Sequence, residues 1–138
     1  MVGGGSLADE ARERWGHTDA WRESVQRTRG YSEDDWARIR AESDQVFEHM
    51  AALMADGVRP TSAAAMDLAE AHRRHIDRWF YPCSPDMHRG LASMYTADPR
   101  FTAYFEERHE GLSAFVADAI RANATRAREQ SERDRRTV

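Results

Sequence analysis

Apolar side chains recur every three or four residues along most of this chain, and no stretch alternates with the period of two that a half-buried strand requires. From Ser32 onward, Trp36, Ile39, Ser43, Val46, Phe47, Met50, Leu53 and Met54 follow helical spacing. Ser32 is placed to cap that helix, with Asp35 three residues on as its capping-box partner, and Gly57 is a natural terminator. A second helix is expected from Thr61 or Ser62, just after Pro60, with the stripe Ala65, Leu68, Ala69, His72, Ile76 and Trp79. It should end near Tyr81, because Pro82 disfavours helical geometry at the residue before it. Ser84-Pro85 reads as an N-cap followed by proline at the first helical position, opening a helix striped by Met87, Leu91, Met94 and Tyr95. Asp98-Pro99 repeats the signal before Phe101, Tyr104 and Phe105. Gly111 then precedes a last helix carrying Leu112, Phe115, Val116, Ala119 and Ile120.

The stretch from Leu7 to Arg29 is also compatible with helix, broken around Gly16, His17 and Thr18, but its apolar content is mainly Trp15, Trp21 and Val25. Such a segment orders weakly by itself. The pattern predicts an all-α domain of five to six helices over residues 7–127. Two short proline-started helices near the middle favour irregular, globin-like packing over an up-down bundle. Residues 1–6 read as a flexible linker or expression remnant, residues 7–30 as a candidate mobile lid, and residues 128–138 as a charged, disordered tail.

Composition narrows the function. The 138 residues suit one domain with a modest core, and 32% charged side chains suit a soluble protein with much exposed helix. No stretch resembles a signal peptide or a membrane span, which points to a cytoplasmic protein with no membrane partner. All 20 basic side chains are arginine, so lysine Schiff-base and P-loop chemistry are excluded. A net charge of −4 argues against nucleic-acid binding by this chain. The arginines near the end are interleaved with acidic residues and read as a solvated helix end.

The single cysteine, Cys83, stands in "RWFYPCSPDMH" immediately before the expected N-cap. One reading is a small buried apolar side chain. The other is a reactive thiolate, its pKa lowered by the helix start, held between Pro82 and Pro85 and flanked by large side chains that line a core or a pocket. His72, His75 and His88 are candidate bases for a Cys/His hydrolase, yet no oxyanion-hole loop, glycine-rich turn or orienting third group is readable, so no enzyme is expected. "HRRH" at 72–75 is a weak metal signal, and a haem would compete with aromatic side chains for its slot. No metal or cofactor is expected.

Three segments carry a resemblance: "RERWGHTDAWRES", "YSEDDWARI", and the long run "AMDLAEAHRRHIDRWFYPCSPDMHRGLASMYTADPRFTAYFEERHEGLSAFVADAIRANA". Together they look like the TipAS antibiotic-recognition domain, the drug-binding module at the C-terminal end of some MerR-type regulators and also a free-standing protein. The resemblance runs from about Ala11 to Ala124. It implies a globin-like helical fold and binding of thiopeptide antibiotics, macrocycles rich in thiazole rings and dehydroalanine. It implies that Cys83 is the nucleophile that adds to a dehydroalanine, and that the N-terminal portion is mobile without ligand and folds over it. Relatives bind other planar, multi-ring antibiotics without a covalent bond. Pro82, Ser84 and Pro85 make a stiffer turn around the cysteine than the family's antibiotic-binding member has. No winged helix-turn-helix precedes the domain, so the chain is expected to be a free drug-binding protein, an internal-start product or an excised domain.

The expectation is therefore a protein that sequesters a thiopeptide or other multi-ring antibiotic in an aromatic-lined cleft, either covalently through Cys83 or as a reversible multidrug-binding effector domain. A cysteine-dependent enzyme is the remoter alternative. Trp79, Tyr81, Met87, His88, Tyr95 and Phe101 are the candidate wall, with Trp15, Trp21, Tyr31 and Trp36 as a candidate lid. His72 is expected to orient a neighbour or satisfy a buried carbonyl. Oligomeric state is left open.

Overall fold

The computed structural model describes residues 18–137, and all regular structure among them is helical. Six helices follow in order: α1 (Asp19–Thr28), α2 (Glu33–Ala55), α3 (Ala63–Trp79), α4 (Pro85–Ala97), α5 (Pro99–Glu106) and α6 (Leu112–Thr137).

Side chains set most of the boundaries. Ser32 accepts from the Asp35 N–H at 3.1 Å while Asp35 accepts from the Ser32 N–H at 3.0 Å, closing the expected capping box of α2. Gly57 ends α2 at φ +77°, a conformation only glycine adopts freely. Ser62 and Ser84 cap α3 and α4, each accepting a backbone N–H three residues on at 3.1 Å. Asp98 closes α4 and opens α5, its carboxylate accepting from the Arg100 N–H at 2.9 Å. The start of α6 is capped from outside. Glu106 accepts from the N–H groups of Gly111 and Ser113 at 2.8 and 3.0 Å, which holds its carboxyl below the usual range.

The core lies where the first half of α6 meets α4, α3 and α2. Leu112, Val116, Ala117, Ala119 and Ile120 are fully enclosed, with Met50 of α2, Ala65 and Ala69 of α3, and Ala92 of α4. Alanines at the crossings let helix axes approach closely, while Phe47, Phe105 and Tyr95 fill the wider gaps. Burying one side chain of the Leu or Phe class contributes about 1.5–3 kcal/mol, so this cluster dominates stability.

The long α6 corrects one expectation. No break occurs near residue 127, and the helix runs on to Thr137 through exposed residues. The segment has no glycine or proline and is rich in Arg, Glu and Gln, which are good helix formers. Pairs one turn apart support it, such as Gln130 with Asp134 at 3.1 Å and Arg133 with Gln130 at 2.9 Å.

At the other end, α1 has no buried residue. It is fastened through main-chain acceptors: Arg27 donates to the Asp77 carbonyl at 2.6 Å, and the Tyr31 hydroxyl donates to the Trp79 carbonyl at 2.5 Å. Both carbonyls belong to the last turn of α3.

Candidate functional site

Packing leaves two hollows on either side of the segment where α3 ends. The larger, about 690 Å³, lies among α2, α3, α4 and α5. Trp36, Ile39 and Ser43 line it from α2, His72, His75 and Ile76 from α3, Met94 and Tyr95 from α4, and Phe101 and Tyr104 from α5. The smaller, about 400 Å³, lies under α1, between Trp21 and Ser24 on one side and Met87, Gly90 and Leu91 on the other. Phe80, Tyr81 and Leu91 belong to both and form the partition between them.

This arrangement follows from three local features. Pro82 stops α3 early, at Trp79 rather than Tyr81, so Phe80 and Tyr81 leave the helix and stand between the hollows. Pro99 starts α5 one residue after α4, bringing Phe101 and Tyr104 against the open side of Tyr95 and Phe47. Tyr95 and Phe101 sit 5.7 Å apart, and Tyr95 and Phe105 5.1 Å. At the rim of the larger hollow, Arg108 pairs with Asp44 and lies 4.6 Å from the centre of the Tyr104 ring. A wall with six Trp, Phe and Tyr rings among its lining residues is suited to stacking on flat rings.

Behind the wall His72 Nδ1 and His88 Nε2 share a hydrogen bond of 2.9 Å. Burial, the neighbouring His88 and then His75 push the His72 imidazole well below its ordinary value. Burial, with Arg73 next, lowers His88 to about 4. Both rings are therefore neutral near pH 7. His75 bonds through Nε2 to the Ile39 carbonyl at 3.1 Å. Burial raises Tyr81 to about 12, so its hydroxyl is a neutral donor.

The structure sorts the residues expected from sequence. Trp36, His72, Tyr81, Tyr95 and Phe101 line the larger hollow, while Trp21, Tyr81 and Met87 line the smaller. Tyr31 stands behind, edge-on to Trp36 at 5.7 Å and to Trp79 at 5.5 Å. Trp79 is not a wall residue. It is 8% exposed, and its indole N–H donates to Glu42 at 2.8 Å. His88 also faces inward, 1% exposed and bonded to His72. Trp15 lies outside the described residues.

Cys83 overturns the thiolate expectation. Its side chain is 1% exposed, sits within the core cluster and lines neither hollow. Burial pushes the thiol up to about 12; Arg73 opposes this, while Asp77 and Glu70 add to it. The turn is pinned through its backbone: the Cys83 N–H donates to Asp77 at 2.8 Å and its carbonyl accepts from Arg73 at 2.6 Å. Arg73 in turn pairs with Glu70 at 2.5 Å and holds that carboxyl down to about 2. The S–H contacts the Ser84 carbonyl at 3.8 Å, and none of the three candidate histidine bases bonds to it. Among the described residues no cluster of three or more His, Cys, Asp or Glu could hold a metal, and no helix is long and apolar enough to cross a membrane.

Sequence reasoning missed Ile39, His75, Phe80, Leu91, Met94 and Tyr104 as lining residues. Phe80 adjoins the proline signal, and Met94 shares the stripe of Tyr95, so both were within reach. Ile39 and Leu91 read as core from spacing alone.

Comparison with known proteins gives a consistent picture. A family profile, the TipAS antibiotic-recognition domain, matches residues 7–123. The transcriptional activator TipA of Streptomyces coelicolor is 46% identical over 118 residues, covering 86% of this chain and 47% of that protein. The transcriptional activator mta of Bacillus subtilis is 41% identical over 115 residues, covering 83% and 44%. The chain thus spans about half the length of these relatives. The structure of TipAS from Streptomyces lividans in complex with nosiheptide superposes with a TM-score of 0.82 at 44% identity, covering 88% of this chain and 85% of that one. The antibiotic-binding domain of a TipA-class multidrug resistance regulator superposes with a TM-score of 0.61 at 43% identity, covering 67% and 98%.

Proposed function

Since the chain belongs to the TipAS antibiotic-recognition family, we propose that it captures a thiopeptide or another multi-ring antibiotic, non-covalently, in the aromatic cleft between α2, α3, α4 and α5. One observation carries this reading: a hollow of about 690 Å³, walled by Trp36, Phe80, Tyr81, Tyr95, Phe101 and Tyr104, in a fold that superposes closely on a nosiheptide-binding relative. Flat heteroaromatic rings stack on such walls, and the enclosed volume falls within the range of small-molecule sites. In this reading the helix α1 acts as a lid. It buries none of its own residues, it roofs the smaller hollow, and its two clasps to α3 are a light attachment. In a longer regulator the same domain would serve as the effector-sensing half.

The buried, high-pKa Cys83 favours reversible capture over adduct formation. Attack on a dehydroalanine requires a thiolate within reach of the guest, and here the sulfur is protonated and sealed. The test adds nosiheptide to the protein and to Cys83→Ala. The expected result is a thermal shift of several degrees in both, with no mass gain after denaturation. A mass gain of one equivalent, absent from Cys83→Ala, would overturn the reversible part and leave cleft binding standing. No shift in either protein would overturn the reading itself.

A further inference from the structure

Several polar side chains line the cleft, among them Arg40, Ser43, Asp44, His72, His75, Arg108 and three tyrosines, and His72 is the one coupled to a second buried imidazole. Asp44 and Arg108 satisfy one another, and His75 is committed to the Ile39 carbonyl. His72 lines the cleft while only 5% exposed, and its one hydrogen bond among the described residues is through Nδ1 to His88 Nε2. Its Nε2 has no partner among them, and since no fully sealed side-chain N or O there lacks a partner, Nε2 is not wholly sealed in a ring that lines the cleft. The ring is fixed by Phe47 at 5.0 Å and Tyr95 at 6.3 Å.

A neutral imidazole carries one proton, on either nitrogen. The contact of 2.9 Å accommodates both arrangements. In one, His72 Nδ1–H donates to His88 Nε2, His88 carries its proton on Nδ1, and His72 Nε2 is an acceptor. In the other, His88 Nε2–H donates to His72 Nδ1, and His72 Nε2–H is a donor. Passing from the first to the second moves the shared proton from His72 to His88. His72 takes up a proton at Nε2 as His88 releases one from Nδ1, so the pair holds two protons throughout.

We infer that His72 and His88 form one tautomer-adaptable unit, through which the same nitrogen of His72 offers a guest in the cleft either a donor or an acceptor. This rests on the cleft being the binding site. It extends the class of guest to heteroaromatic compounds of either hydrogen-bonding sense: ring nitrogens such as those of thiazoles and pyridines, and N–H or O–H donors such as amides, indoles and phenols. A fixed donor in an apolar cleft rejects guests that leave it unpaired. A donor that converts to an acceptor removes that penalty, which suits recognition of chemically varied drugs.

The test uses the intact protein labelled with nitrogen-15 in its imidazoles and two bicyclic probes of similar size. Benzothiazole accepts through its ring nitrogen, and indole donates through its N–H. With benzothiazole bound, nitrogen NMR should show His72 Nε2 and His88 Nε2 protonated. With indole bound, both should lose the proton, leaving His72 Nδ1 and His88 Nδ1 protonated. His72→Phe, which keeps a ring against Phe47, should weaken both probes by about five- to tenfold. Retention of one His72 tautomer in both complexes would overturn the inference, as would a His72 change that His88 does not follow. If neither probe binds while nosiheptide still raises the melting temperature, the inference fails and cleft binding survives. If nosiheptide also leaves the protein unchanged, the reading beneath it fails.

Discussion

Lowering the pH from about 7 to about 4.5 should destabilise this protein through the histidine pair in its interior. In the unfolded chain an imidazole takes up a proton near 6.5, whereas in the folded protein His88 does so only near about 4 and burial holds His72 well below its ordinary value. Between those values the unfolded state binds more protons, so stability falls as pH falls and levels off only below the folded value. For His88, the fall from 6.5 to about 4.5, which stays above its folded value of about 4, at about 1.4 kcal/mol per pH unit comes to roughly 3 kcal/mol. His72 shifts in the same direction and adds to the loss. His75 does so more weakly, because its bond to the Ile39 carbonyl and the nearby Glu42 oppose its burial. A loss of this size is a large part of a stability of about 5–15 kcal/mol. Glu70 acts elsewhere: its depressed carboxyl contributes stability above 4.5 that is lost only as pH falls towards about 2. Urea denaturation followed by tryptophan fluorescence at a series of pH values measures the slope. The double variant His72→Phe/His88→Met removes both members of the pair, so it should flatten the slope at modest cost near pH 7. A wild-type urea midpoint unchanged between about pH 6.5 and about pH 4.5 would refute the reasoning.

Further outcomes follow from individual contacts. Cys83 should be inert to a thiol reagent in the native protein and react at once in denaturant, since its sulfur is 1% exposed; rapid native labelling would show that the turn opens. Gly111→Ala should destabilise by about 1–3 kcal/mol in thermal melts, because φ is +85° and the added Cβ would stand 2.7 Å from Met54 Cε. Ser32→Ala should cost about 1 kcal/mol through loss of one arm of the capping box. Removing residues 128–137 should lower helical circular dichroism yet move the melting temperature little, as nearly all of that segment is exposed.

The helices were legible because local chemistry sets them. Ser32, Ser84 and Asp98 each cap where the sequence placed a helix start, Ser62 is the one of the two expected start residues that caps α3, and Gly57 takes the positive φ that suits a terminator. What the local pattern did not carry was direction. Trp79 and Tyr81 are two residues apart in one aromatic run, but α3 ends between them, so one indole turns to Glu42 and the other ring turns to the cleft. Of the two readings of Cys83, spacing alone does not decide between a helix-start thiolate and a buried apolar side chain. Burial, which the local pattern does not report, raises the thiol even though Arg73 opposes it. The pairing of His72 with His88 joins residues sixteen apart on different helices, and no spacing rule reports that. Charge alone predicts a disordered tail, although the same residues are strong helix formers continuing an established helix.

The clasps from Arg27 and Tyr31 have an evolutionary consequence. They grip peptide oxygens, which every residue type presents alike. Substitutions at Asp77 or Trp79 therefore change the side chain at the end of α3 without removing the acceptor that holds α1 in place. Sequence drift at the end of α3 is thus decoupled from the attachment of the N-terminal helix, which is inherited with the backbone itself.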